Sequence, residues 1–152
     1  TTEIYTLSLH DALPICLVTA KLFALLDDKS RLVPYGRFYR NETSESLLDC
    51  LWGAFNARGL PRQVHTDNGS AMRDERIRLG CADLEVNYTH SRPYTPTGKA
   101  KIERFLSTVR MQFLPLLGND TLSLYELNQH WIQYLQEYNS RYHSGIGTSP
   151  LD

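Results

Sequence analysis

Two acidic residues, Asp67 and Glu103, lie in settings where a carboxylate could do chemistry. Asp67 belongs to the stretch VHTDNGSA, directly after a short apolar run, and 35 residues separate it from Glu103. Hard divalent cations prefer oxygen ligands, so two carboxylates that converge in the fold could hold a metal ion. The alternative for Asp67 is a plain turn, because Asp-Asn-Gly is common turn chemistry. Composition alone favours the turn. A metal-binding role for Asp67 needs a second carboxylate whose position makes sense only if Asp67 is catalytic.

Glu103 falls near the start of a predicted amphipathic helix that runs from Lys99 to about Leu114. On a helical wheel Glu103 sits at the margin of the apolar stripe, on the side that also carries Lys99. Lys101 and Arg104 point away from it. A simple Lys99–Glu103 pair is a poor explanation, because lysine before glutamate is the less favourable order and adds at best a few tenths of a kcal/mol. A carboxylate at this margin can face a cleft between the helix and a sheet.

Strands and helices alternate around these two residues. Residues 21–26 and 31–39 predict an antiparallel strand pair, and RQVHT predicts a brief strand that leads into Asp67. The stretch LEVNYTH alternates as a strand does. Four helices are predicted. They are ETSESLLDCLWGAFNARG, which ends at Gly59, SAMRDERIRLGCADL, which has a serine at its N-cap, the helix that carries Glu103, and a last helix with a Ser123–Glu126 capping box. This order indicates an α/β fold with a mixed sheet and flanking helices.

The bulk composition fits one soluble domain and leaves nucleic-acid binding to local charge. The chain has 152 residues, 41% hydrophobic and 22% charged, with a formal net charge of −1. Between positions 92 and 110 there are five basic residues and one acid. Such a stretch can hold phosphates, although a solvated helix face explains it equally well. The basic residues are Arg92, Lys99, Lys101, Arg104 and Arg110.

Cysteine usage and hydropathy point to a cytosolic protein. The three cysteines at positions 16, 50 and 81 show no CxxC pairing, which argues against a disulfide framework or a zinc site. No apolar run is long enough to cross a bilayer, so we expect no membrane partner.

In its motifs the chain resembles the integrase catalytic cores (rve type, DDE) of insertion-sequence transposases and retroviral integrases. The matching stretches are LLDDKSRLVPYGRFY, RGLPRQVHTDNGSAM, HSRPYTPTGKAKIERFLSTVRMQFL and YNSRYHSGIGTSP. This family is named for two aspartates followed, after the interval seen here, by a glutamate. The resemblance covers about Phe23 to Pro150. DNG or KIER alone is a weak signal, but their order and spacing on either side of SRPYTP are specific.

The resemblance implies an RNase H-like fold and metal-dependent phosphodiester chemistry on DNA. Asp67 and Glu103 would each ligate one of two Mg²⁺ or Mn²⁺ ions, which activate the nucleophile and stabilise the leaving oxygen. Lys99 and Lys101 would meet DNA phosphates, and Arg104 is a further candidate although it turns away from Glu103.

Two residues of the connecting loop are further candidates for DNA contacts. Arg92 belongs to the basic stretch. Tyr94 could stack on a base or sugar, and packing within the loop explains it equally well.

The family's first catalytic aspartate has no convincing counterpart, so the fold is expected to be truncated at its first strand. Residues 1–15, TTEIYTLSLHDALPI, resemble the conceptual translation of a sequencing adapter, and we interpret them as an artefact joined to a native frame that begins near Cys16. Asp11 is the only acid near the corresponding place, and nothing selected it as a ligand. The catalytic core is then 16–117 and a helical extension 118–152. We expect this chain to bind metal poorly and to cut slowly.

Other polar residues near Asp67 have simpler interpretations. His65 lies two residues before Asp67 and is either close to the metals or, as we favour, a hydrogen-bonded wall of the site. Asn68 and Gly69 are expected to shape the turn, and His90 to end a strand. Asp27 and Asp28 read as a structural turn after a strand.

Three functions remain open from the sequence. The leading one is a transposase or integrase core acting on transposon ends and target DNA as a homo-oligomer. A nuclease of the RNase H type that only hydrolyses is the second, and a non-catalytic DNA-binding or dimerisation remnant is the third. We expect a bacterial cytoplasmic location, associated with the nucleoid during action.

Overall fold

The computed structural model describes residues 14–15, 18–91, 100–118 and 121–152. The strands in these ranges are β1 (Pro14–Ile15), β2 (Val18–Thr19), β3 (Lys21–Ala24), β4 (Gly36–Tyr39), β5 (Gln63–Thr66) and β6 (Asn87–His90). The α-helices are α1 (Ser44–Arg58), α2 (Glu75–Asp83), α3 (Ala100–Thr108) and α4 (Leu124–Ser140). The pairs β1–β2 and β3–β4 are antiparallel, whereas β5–β6 is parallel. The mixed α/β class predicted from the sequence is confirmed.

Strand β3 lies at the centre of the core because both of its faces are buried. Leu22 and Ala24 belong to one apolar cluster, and the alternating residues Phe23 and Leu25 belong to another. Successive side chains of a strand point to opposite faces, so β3 separates the two clusters. The first cluster, named here the α3–α4 cluster, includes Phe38, Ile102, Phe105, Leu106, Val109, Phe113, Leu127 and Trp131. The second, the α1–α2 cluster, includes Leu47, Cys50, Leu51, Val64, Met72, Ile77, Cys81 and Val86.

Helix α1 follows the predicted bounds closely. Thr43 caps its first turn by accepting a hydrogen bond from the Ser46 backbone N–H at 3.2 Å. Gly59 follows the helix with φ of 82°, a conformation that glycine adopts without strain. Two apolar residues that supported the helix prediction, Leu48 and Trp52, are exposed, so the buried stripe is narrower than the sequence indicated.

The connection between β5 and β6 differs from the prediction. The serine expected as a helix N-cap, Ser70, instead begins a short 3-10 helix, Ser70–Arg73. The α-helix begins later, where the Asp74 side chain accepts from the Arg76 backbone N–H at 2.9 Å. Asp74 is the better cap because its carboxylate accepts that bond and also faces the positive end of the helix dipole.

Helices α3 and α4 cover the other side of β3. The chain continues beyond α3 as a π-helical turn, Val109–Phe113, and a 3-10 turn, Leu114–Leu117, so the helical path reaches the predicted end. The capping box predicted for α4 is present, with Ser123 and Glu126 each bonded to the other's backbone N–H. No helix within the described ranges is both long and apolar enough to span a membrane.

Two asparagines of α4 bind the backbone of the β3–β4 hairpin. Asn128 accepts from the Phe38 N–H at 2.8 Å and donates to the Phe38 carbonyl at 3.0 Å. Asn139 makes the same pair of bonds to Val33, at 2.9 Å each. These four bonds fix the hairpin against α4, and nothing local in the sequence predicts them.

Candidate catalytic site

Asp67 occupies the turn that directly follows β5. Its Oδ1 accepts a hydrogen bond from the Gly69 backbone N–H at 2.8 Å, and its side chain is half-buried. This is an Asx turn, so Asp67 does shape the turn that the Asp-Asn-Gly sequence predicts. The turn does not exclude a metal role, because one carboxylate oxygen is held by the backbone while the group keeps contact with solvent.

Side chains from both strands secure this turn to the end of β6. Asn68 donates through Nδ2 to the Ser91 carbonyl at 2.6 Å. His90 Nδ1 lies 3.1 Å from the Asp67 carbonyl oxygen and 2.9 Å from Oγ1 of the fully buried Thr66. The bond to a carbonyl requires the proton on Nδ1 of His90. The backbone of Asp67 is therefore fixed by bonds that cross the parallel pair.

His65 forms a hydrogen-bonded wall beside the turn, as the sequence favoured. Its Nδ1 is 2.9 Å from Thr89 Oγ1 and its Nε2 is 3.0 Å from Ser91 Oγ. Both ring nitrogens are used, which leaves no lone pair of this histidine for a metal ion in this arrangement.

Tyr88 contacts residues around the Asp67 turn. Its hydroxyl donates to the Met72 carbonyl at 2.9 Å, and its ring packs edge-on against His90 at 5.1 Å between centroids. Burial raises the pKa of Tyr88 to about 12, so the hydroxyl remains a neutral donor at physiological pH.

Glu42 also lies near the Asp67 turn. A Cβ built on Gly69 would lie 3.0 Å from Asp67 Oδ1 and 3.8 Å from Glu42 Oε1. Glu42 therefore faces the same turn from the segment before α1. Glu42 is not among the residues predicted from the sequence, because no local pattern distinguishes it from an ordinary solvated glutamate.

Glu103 lies in the first turn of α3 and is exposed. The neighbouring Ile102 is fully buried in the α3–α4 cluster, so Glu103 sits beside the buried face as the helical wheel predicted. Its orientation is set by the packing of the whole helix, since among the described residues no hydrogen bond or ion pair holds its carboxylate.

The predicted DNA-contact residues divide into two groups. Lys101 forms an ion pair with Asp28, with 2.5 Å between Nζ and Oδ1, whereas Arg104 is exposed. Asp28 thus has the structural role expected of the turn after β3. The other predicted residues, Arg92, Tyr94, Lys99 and Asp11, lie outside the described ranges.

The donor chemistry at the turn suits a hard divalent cation, but the described part of the chain supplies an incomplete ligand set. Asp67 presents a carboxylate that is half-buried and anchored through one oxygen. No cluster of three His, Cys, Asp or Glu side chains capable of holding a metal occurs in the described ranges. The ligand type therefore suits a divalent metal ion, but the described residues provide too few ligands to complete its coordination.

Comparison with known proteins identifies the family. The family model described as Integrase core domain matches residues 6–96, more than half of the chain. This chain belongs to the integrase core domain family, as its motifs predicted.

Curated relatives include a bacterial transposase and a retroviral polyprotein. The chain is 29% identical over 151 residues to the transposase for transposon Tn552 of Staphylococcus aureus, covering 86% of this chain and 31% of that protein. It is 32% identical over 63 residues to the Gag-Pro-Pol polyprotein of simian retrovirus SRV-1, covering 41% of this chain and 4% of the polyprotein. The chain thus spans less than a third of the length of either protein.

Solved structures share the fold. The simian T-cell lymphotropic virus intasome in complex with a PP2A regulatory subunit contains a chain with a TM-score of 0.81 and 19% identity, covering 99% of this chain and 52% of that one. The HTLV-2 integrase catalytic core domain in complex with magnesium (trimeric form) has a TM-score of 0.77 and 17% identity, covering 99% and 93%. These similarities confirm the RNase H-like fold.

Proposed function

We propose that this chain is the catalytic core of a transposase or integrase that cleaves and joins DNA strands. The observation that carries the proposal is the position of Asp67, which follows β5 with its backbone fixed to β6 and its carboxylate half-buried. A group that must hold a cation against a phosphate needs this combination of rigid backbone and open side chain. The family membership supplies the reaction class, which is polynucleotidyl transfer.

Asp67 and Glu103 are the proposed metal-holding residues. Two Mg²⁺ or Mn²⁺ ions, when bound, would polarise the attacking and leaving oxygens of an in-line displacement at phosphorus. In cleavage the oxygen of water forms the new bond and the bond to the 3′ oxygen breaks; in strand transfer a 3′-hydroxyl takes the place of water. The chain's own contribution is to orient its carboxylates toward the phosphate.

We further infer that this chain works slowly as it stands. Only two of the three acids that the family resemblance implies have counterparts, and Asp11 is the sole candidate for the third. A metal held by fewer carboxylates is bound more weakly, because each ligand contributes charge and geometry. We also propose that the active form is a homo-oligomer on DNA and that the protein acts at the bacterial nucleoid. The trimeric form of the HTLV-2 core domain and the bacterial source of the Tn552 transposase support the oligomer and the bacterial location, respectively.

The test measures metal binding and nicking separately. Electron paramagnetic resonance of Mn²⁺ should detect binding to the 152-residue chain, and Asp67→Asn and Glu103→Gln should each weaken it by about 10- to 100-fold or more, since loss even of a partner that only orients a ligand costs that much. Metal-dependent nicking of a labelled duplex should fall in parallel. Glu137→Gln, which removes an exposed acid of α4, is the matched control and should change neither quantity.

The same experiment separates the competing functions. Nicking that survives both substitutions contradicts the assigned site. Nicking with water but no joining to a target strand indicates a nuclease that only hydrolyses. DNA binding without any nicking or Mn²⁺ binding indicates a non-catalytic remnant, and an unchanged Asp11→Asn variant confirms that Asp11 is no ligand.

A further inference from the structure

A basic groove lies between α3 and the segment that follows α4. Its volume is about 530 Å³, and α3 contributes Lys101 and Arg104 to its wall. These two residues lie on the side of α3 away from Glu103, and Glu103 is not part of the lining. The groove is therefore a different surface from the proposed catalytic site.

The motif YNSRYHSGIGTSP, which the proposed function leaves unassigned, builds the opposite wall. Arg141 and His143 both line the groove. The Arg141 guanidinium lies over the Tyr138 ring at 5.2 Å, and the His143 ring packs edge-on against the same ring at 4.6 Å. Tyr138 is buried, so one anchored aromatic ring positions both basic side chains.

The tail itself is held in one conformation by backbone bonds. His143 N–H donates to the Thr148 carbonyl at 2.9 Å, and the Gly147 N–H donates to the His143 carbonyl at 2.9 Å. His143 Nε2 lies 3.0 Å from the Tyr138 carbonyl. Arg141 and His143 therefore belong to a folded element and not to a loose terminus.

A fifth basic residue, Arg31, reaches the groove from the β3–β4 hairpin. Its φ of 63° lies in the left-handed region, which is unfavourable for a residue that carries a side chain. Both Arg31 and Lys101 pair with Asp28, with 3.6 Å and 2.5 Å between the charged atoms. A strained position that aims an arginine into a basic groove calls for a functional explanation.

The balance of charge in the groove favours an anionic ligand. Among the described residues that line the groove there is no acidic side chain, and Asp28 neutralises only one of the two cations that it contacts. Arg104 and Arg141 are exposed and make no ion pair within the part of the chain that the structure describes. The exposed Tyr142 adds an aromatic surface to the lining. Several cations with an exposed ring are typical of surfaces that follow a nucleic-acid backbone.

We propose that this groove binds the phosphate backbone of a DNA segment, separate from the phosphate that reacts at Asp67. The exposed Arg104 and Arg141 contact phosphates directly, while the half-buried Arg31 and Lys101 add positive charge. The proposal takes its ligand from the proposed function and adds a second point of contact. Two contacts on different faces of α3 would fix the register of the strand that reaches Glu103, since phosphate contacts position a duplex without reading its sequence.

Duplex-binding measurements test the groove. Fluorescence anisotropy of a labelled 30-base-pair duplex, with EDTA present, gives the dissociation constant over a range of KCl concentrations. Arg104→Gln and Arg141→Gln should each weaken binding severalfold and make the dependence of log K on log[salt] shallower by about one, as expected for the loss of one phosphate contact. Arg58→Gln, an exposed arginine of α1 outside the groove, is the control and should leave the slope unchanged.

Conservative variants separate charge from packing. Arg141→Lys should retain the salt slope although it loses the planar contact with Tyr138. Arg31→Gly should relieve the strained backbone and still weaken binding, whereas Glu85→Gly relieves the same strain at φ of 57° without removing a basic residue. Circular dichroism melting confirms that each variant is folded before binding is measured.

The outcomes distinguish this proposal from the catalytic one. If the groove variants have the same affinity and salt slope as Arg58→Gln, the proposal that the groove binds DNA is wrong. It is also wrong if all arginine variants lose affinity equally, because binding would then reflect net charge alone. A chain that never nicks DNA but shows the groove-specific slope change retains the groove and loses the proposed activity. Binding of an acidic peptide in place of DNA also overturns the proposal.

Discussion

The two proposed metal-holding acids are positioned in opposite ways. Asp67 is fixed locally, by a bond from Gly69 N–H to its carboxylate and by a bond between its carbonyl and His90. Glu103 has an exposed side chain on α3, and what fixes it is the apolar face of that helix, where Phe105 and Leu106 are buried. One acid depends on polar contacts between neighbouring strands, and the other depends on side-chain packing.

The difference extends to the two apolar clusters. Val64 and Met72, which flank the Asp67 turn in sequence, belong to the α1–α2 cluster, whereas Ile102 and Phe105 belong to the α3–α4 cluster. β3 contributes to both. A site that uses Asp67 and Glu103 together therefore depends on both clusters, which β3 joins. A substitution in the α1–α2 cluster should affect the position of Asp67, and one in the α3–α4 cluster should affect the position of Glu103.

The largest expected effect comes from removing the centre of the α3–α4 cluster. Trp131 is fully buried, with its ring centroid 5.1 Å from that of Phe113 and 5.4 Å from that of Phe38. Trp131→Ala should lower the free energy of unfolding by about 3–5 kcal/mol in urea titrations. The exposed Trp52 is the matched control, and Trp52→Ala should stay within about 0.5 kcal/mol of the parent chain.

If Glu103 depends on this packing, Trp131→Leu should lower Mn²⁺ affinity while leaving the Asp67 turn intact. Hydrogen exchange would show the β5–β6 amides still protected and the α3 amides less so. Equal loss of protection in both regions would contradict the separation of the two acids.

A smaller effect on the free energy of unfolding is expected at alkaline pH, because each of the two regions contains one buried tyrosine. Burial raises the pKa of Tyr88, beside the Asp67 turn, to about 12, and the pKa of Tyr138, beneath the groove, also to about 12. The folded state favours the neutral phenol, so this stabilisation is complete below pH 10 and is lost as pH rises from 10 to about 12. Difference absorbance at 295 nm between the parent and each Tyr→Phe variant follows the ionisation, and a midpoint near pH 10 would contradict the predicted burial.

The smallest change in stability, with a selective loss of function, is expected for Gly69→Ala. Gly69 has φ of −56° and ψ of 152°, which alanine adopts freely, so the free energy of unfolding should change by less than about 1 kcal/mol. The new methyl would lie 3.0 Å from Asp67 Oδ1 and displace the carboxylate, lowering Mn²⁺ affinity by about tenfold.

Gly80→Ala is the control for this prediction, since nothing lies within 4 Å of a Cβ at that position. It should stabilise α2 by about 0.5–1 kcal/mol and leave Mn²⁺ binding unchanged. An unchanged Mn²⁺ affinity in Gly69→Ala would show that the orientation of Asp67 is not critical.

Much of the local structure followed from the sequence. The apolar period of α3 gave its buried face, Ser123 and Glu126 gave the start of α4, and the run before Asp67 gave β5. Each of these depends on residues within a few positions of one another, where periodicity and capping act. The start of α2 was misplaced because Ser70 and Asp74 are both good caps, and only the geometry of the turn after Asp67 selects between them.

The sequence by itself determined the class of fold and the family, and it singled out the two acids proposed here as metal-holding, because these are carried by residue type, order and spacing. The tertiary structure decided what those residues contact. Asn128 and Asn139 bind hairpin residues 90 and 106 positions away, Glu42 faces the Asp67 turn, and the basic groove joins α3 to the tail. Contacts of this kind depend on how the elements pack around β3, and no local pattern encodes that arrangement.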